Sequence, residues 1–174
     1  MKKNAELNHE ALLHSLGVCS GRMAQHHYLD NLSEFVLHDL CSKDMFNVSK
    51  AAYLVNNADF ACLQGVAGYE SAASFGQDHW NQQHDFTRHM EQSKFNGKVR
   101  KHQDRAIEFD GSKKEHDRIQ RLADQFEIEY PNYHVWNMKH DNQGVIIFDD
   151  RDLTDGMHEH MHHFVSMLSF CPIF

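Results

Sequence analysis

Residues 48–68, VSKAAYLVNNADFACLQGVAG, decide how the chain is built. The stretch is apolar but has no clean period, so it fits two short helices meeting at Asn56-Asn57 or a strand followed by a helix. Alanine is abundant here and is the strongest helix former, which favours the helices. Upstream, His9, Leu12, Leu13 and Leu16 recur at helical spacing, and Gly17 is expected to stop that helix. Leu29, Leu32, Val36 and Leu40 form a second stripe, widened by Phe35 and Leu37. Both prolines, Pro131 and Pro172, lie late, leaving the first 130 residues free to be helical.

Downstream, residues 77–95 are polar and rich in histidine, with Trp80, Thr87 and Met90 sharing one side if the stretch is helical. Residues 96–111 are charged, bounded by Gly97 and Gly111, and read as a solvated connection or an exposed helix. Ser112 and Glu115 have capping-box spacing, and Ile119, Leu122, Ala123 and Phe126 carry the helix that follows. After Pro131 the period changes: YHVWNMK and GVIIFDD, joined by HDNQ, predict two antiparallel strands. Met157, Met161, Phe164, Val165 and Leu168 then mark a last helix. The expected fold is therefore α+β, a predominantly helical single domain over residues 1–174 with a C-terminal antiparallel β-hairpin followed by a final amphipathic helix.

The chain has 174 residues, 41% hydrophobic and 24% charged, enough for one core. Its apolar runs fall far short of the roughly 20 residues that cross a bilayer, so no membrane is expected. The basic Lys2-Lys3 start leads into polar sequence rather than the apolar stretch of a secretory signal, which predicts cytoplasmic residence. A net charge of −8 supplies no field for phosphates and argues against nucleic acid as a partner. Cys19, Cys41, Cys62 and Cys171 are scattered, with no C-x-x-C pair, and read as reduced thiols.

The composition departs from the ordinary in its 16 histidines, spread from His9 to His163. The sharpest motif is His158-Glu159-His160-Met161-His162. On a helix, a four-residue offset brings His158 and His162 to one face as ligands of one metal, with Glu159 placed to act as base on bound water. This H-E-x-x-H stretch resembles the zincin metalloproteases. Beyond His163 the chain has no further histidine, aspartate or glutamate, so a third ligand must come from elsewhere. Asp85 and His89, four apart on the histidine-rich segment, are placed to supply it, with His89 the expected ligand.

Two other patterns point to metal. His38-Asp39, in FVLHDL, resembles the signature pair of the HD-domain phosphohydrolases. That resemblance implies an all-helical metal hydrolase, with His9 or His14 as the upstream histidine and Asp59 or Asp124 as the later aspartate. The pairs Glu6-x-x-His9 and Glu159-x-x-His162 resemble those of di-iron carboxylate bundles, which would draw further carboxylates from Glu34 and Glu91.

The sequence thus predicts a transition-metal-binding protein, with zinc or iron as the cofactor, in which an H-E-x-x-H helix can support hydrolysis. The non-enzymatic alternative is a histidine-rich domain whose self-association follows pH, with a homo-oligomer as the possible partner state.

Overall fold

The computed structural model describes residues 9–76 and 78–173. Helices α1 (His9–Gln25) and α2 (Leu32–Cys41) precede strands β1 (Lys50–Asn57) and β2 (Cys62–Glu70), and a 3₁₀ turn, Ser71–Ala73, follows. Next come α3 (Gln83–Gln92), α4 (Lys94–Arg100), β3 (Gln103–Arg105) and α5 (Lys113–Phe126). The chain ends in β4 (Pro131–Asn137), β5 (Gln143–Asp149), α6 (Asp155–Val165) and a 3₁₀ segment, Ser166–Phe170. The strands form one antiparallel sheet in the order β3-β2-β1-β5-β4.

The expectation of a mainly helical domain with only a C-terminal hairpin is therefore corrected. The 131–149 hairpin is one side of a central five-stranded sheet, and residues 50–70 supply two of its strands rather than helices. The reason is burial on both faces. Ala51, Tyr53 and Val55 point into one apolar cluster with Phe35, Leu40, Phe86 and Met161. Ala52 and Leu54 point into another with Phe95, Val99, Ile119 and Phe126. A strand covered on both sides loses the polar half of its alternation and reads as an unbroken apolar run. Strand β5 behaves alike, with Ile146 and Phe148 on the first face and Val145 and Ile147 on the second. The sheet lies between α1, α2, α3 and α6 on one side and α4 and α5 on the other.

Asn57, which suggested a helix break, instead starts the β1–β2 turn, where its side-chain oxygen accepts from the Phe60 N–H at 3.1 Å. A bulge between Tyr53 and Leu54 leaves Val66 as the extra residue of β2. Gly65 and Gly68 of β2 open the second face to α4: a Cβ at Gly65 would collide with the Val99 carbonyl, and one at Gly68 with the Val99 side chain. Helix α1 continues past Gly17 and Gly21, both exposed, because Leu12, Cys19 and Met23 anchor its opposite side in the core. Ser112 caps α5 as its spacing predicts, accepting from the Glu115 N–H. The Glu115 carboxylate in turn accepts from the N–H groups of Asp110 and Gly111 and from the Tyr133 hydroxyl. Among the described residues no helix is long and apolar enough to cross a membrane.

Candidate metal centre

Helix α2 buries Leu32, Phe35, Val36, Leu37 and Leu40 and so turns His38 and Asp39, in its last turn, toward the segment that leads into α3. That segment brings His79, which is buried, and Trp80 against them. Asp78 fixes the turn: its backbone oxygen accepts from the N–H groups of Asn81 and Gln82, and its carboxylate from the Trp80 N–H. The indole N–H of Trp80 donates to Asp39 Oδ2 at 2.9 Å. His79 Nε2 lies 3.1 Å from Asp39 Oδ1, and His38 Nδ1 lies 3.7 Å from the same oxygen. Among the described residues this is the group of three whose ligand atoms all lie within 4.8 Å of one another.

The surroundings are aromatic. Phe35 stacks on His79 at 5.7 Å between centroids, Tyr69 meets His38 edge-on at 5.0 Å, and Phe86 stands 5.4 and 5.1 Å from His38 and His79. Despite the short distances to Asp39, neither approach has hydrogen-bond direction, so both buried ring nitrogens have the carboxylate as an ion-pair neighbour but no directed hydrogen bond. Buried polar atoms without one are costly, about 1–3 kcal/mol each, which makes them informative. Burial by itself favours the neutral acid of Asp39. The contacts with His38 and His79 and the indole N–H outweigh it, so the carboxyl is held well below the usual range and is ionised.

An ion bonded at ~2.1 Å to each donor in tetrahedral geometry holds two donors roughly 3.4 Å apart. The 3.1 and 3.7 Å separations bracket that value. The imidazole centroids, at 3.8 Å, are closer than the roughly 5.2 Å of two rings sharing one tetrahedral ion, so binding must spread them by about 1.4 Å. On the α1 side, a cavity of about 190 Å³ reaches Asp39, lined by His14, Cys19, Arg22, Ser42 and Asp44 among others. Burial of Cys19 and then the charge of the Asp39 carboxylate push the thiol pKa far above the usual range, so it stays protonated.

The residues singled out from sequence are distributed as follows. His38 and Asp39 sit at this site, and the third donor is His79, which sequence reasoning missed. His14 lines the adjoining cavity, whereas Asp59 is exposed in the β1–β2 turn and Asp124 is on α5, across the sheet. A central sheet also departs from the all-helical core that the HD-domain resemblance implies.

His158 and His162 share a side of α6, and Glu159 is exposed beside them. His89 is not brought to this pair. It stands on α3, its Nε2 2.7 Å from the Ala73 carbonyl oxygen and its ring near Phe75 and Phe86. Of the di-iron pattern, Glu6 lies outside the described residues. Glu34 is instead bound to Asn31, Asn96 and Arg100, and Glu91 is exposed. Comparison with family models, with characterised proteins and with solved structures finds no match to this chain.

Proposed function

We propose that the protein binds a transition-metal ion, zinc or iron, through His38, Asp39 and His79. The observation that carries this reading is two buried imidazole nitrogens, neither with a directed hydrogen bond, beside one ionised carboxylate at separations that bracket those around a shared ion. Two histidines and a carboxylate suit zinc and non-haem iron, and Trp80 steadies the carboxylate as an outer partner. Three protein ligands leave room for water on the ion, so metal-assisted hydrolysis is the reaction class this donor set favours. The cavity beside Asp39 is the route by which a small substrate would approach. All four cysteines are free, which suits the reducing interior of a cell and supports cytoplasmic residence as part of the proposal.

The test is zinc stoichiometry, measured by elemental analysis on protein prepared without a metal column, stripped with chelator and reloaded. His79→Ala and Asp39→Asn are each expected to hold one ion fewer than the wild type. Equal occupancy in all three proteins would overturn the reading.

A further inference from the structure

The H-E-x-x-H stretch of α6 meets a residue outside its own motif. His158 and His162, one turn apart, face His134 of β4, with ring centroids 5.8 and 5.2 Å from it. His134 points to this face because it alternates with Tyr133 and Val135, which pack on the other. Phe148 of β5 forms an apolar floor, 5.3 Å from His134 and 6.1 Å from His158. The Nε2 atom of His134 is buried and has no hydrogen-bond partner. Burial, then His162 and His158, set against the opposing pull of Asp150, pushes the His134 pKa down to about 4. At neutral pH the ring is therefore uncharged and keeps a lone pair.

Asp150 supplies the complement. Its Oδ2 lies 3.0 Å from His158 Nε2 and accepts from Asn132 Nδ2 at 2.9 Å, while Oδ1 accepts from the Leu153 N–H at 3.3 Å. A carboxylate that holds one imidazole nitrogen fixes the tautomer and leaves the other nitrogen free to ligate. The two pairs that include His134 also have suitable spacing. With metal–nitrogen bonds of ~2.1 Å, the centroids of two imidazoles on a tetrahedral ion stand roughly 5.2 Å apart, close to their 5.2 and 5.8 Å. The three ligand nitrogens do not yet lie within 4.8 Å of one another, so His134 and the exposed His162 must turn to converge while Asp150 holds His158. His162 is exposed and gives an ion in solution its way in.

We propose that His134, His158 and His162 form a second metal site, taking a late first-row divalent cation such as zinc, nickel or copper, with Asp150 orienting His158. An all-imidazole donor set selects these ions over magnesium or calcium. The site shares no residue with His38, Asp39 and His79, so the two can be lost separately.

Zinc titration of chelator-stripped protein, with bound ion counted after gel filtration, tests both. Wild type is expected to hold two equivalents. His162→Ala, at an exposed position that leaves folding intact, and His134→Phe are each expected to hold one, and His162→Ala combined with His79→Ala none. Zinc should also move the ring ¹⁵N resonances of His134 in the wild type and leave them unmoved in His162→Ala. The proposal is overturned if His162→Ala and His134→Phe keep the wild-type stoichiometry, or if the wild type holds a single equivalent that His79→Ala abolishes. Loss of an ion in His162→Ala with none lost in His79→Ala would sustain this second site and refute the first.

Discussion

Acidification should loosen the fold through His134, and the size of the effect follows from its surroundings. The ring sits between β4 and α6, faced by His158, His162 and Asp150 and backed by Phe148, and its pKa falls from the ordinary 6.5 to about 4. Between those values the unfolded chain binds the proton and the folded chain does not. Stability contributed at this position is therefore complete above pH 6.5, falls as pH drops through the window, and levels off below about 4. The gap of 2.5 corresponds to about 3.4 kcal/mol in full, of which about 2 kcal/mol is lost by pH 5. The ring is partly open to solvent, which halves this to about 1 kcal/mol at pH 5. With a urea m-value of about 2 kcal/mol/M, the unfolding midpoint should fall by about 0.5 M. The assay is urea unfolding in chelator at about pH 7.5 and about pH 5, with His134→Phe as the reference. Phenylalanine keeps a ring against Phe148 but cannot titrate, so the wild type should lose about 0.5 M more than the variant. Parallel losses in the two proteins would refute the reasoning.

Other consequences are open to the same unfolding assay. Gly65→Ala should destabilise by about 1–3 kcal/mol, because the new methyl meets the Val99 backbone and α4 must shift, whereas Gly17→Ala, with open space around it on a helix, should stabilise by about 0.5–1 kcal/mol. Equal effects at the two positions would contradict the packing of α4 on β2. Asn96→Ala removes the side chain that donates to Glu34 and the Met90 carbonyl and accepts from the Gly68 N–H, and should cost about 2–4 kcal/mol by leaving buried groups unpaired. A loss below about 0.5 kcal/mol would show that the buried network does not hold α4 against the sheet.

What could be read in advance depended on whether each element keeps one face in solvent. Helix α5 alternates Ile119, Leu122 and Phe126 with charged residues, and its cap and course follow directly from the sequence. The 131–149 hairpin announced itself through Pro131 and the change of period, but the strands it pairs with did not. Ala51 to Asn56 are buried on both faces, so nothing in their pattern opposes the helical preference of alanine. The same limit governed the sites. His38-Asp39 was visible as a pair on a periodic helix, while His79 sits in a non-helical turn, where only the apolar Trp80 beside it hints at burial. His158 and His162 were visible by their spacing. His134 shares a strand face with Trp136, as alternation predicts, but which helix covers that face is a matter of tertiary packing.

The central claim is that His38, Asp39 and His79 hold one transition-metal ion. Anomalous diffraction at the zinc edge from crystals of the reloaded protein tests it most directly. A peak is expected about 2.0–2.2 Å from His38 Nδ1, His79 Nε2 and Asp39 Oδ1. The two imidazole centroids should have spread from 3.8 Å to about 5.2 Å. No anomalous density at that point, with the rings still 3.8 Å apart beside the carboxylate, would contradict it.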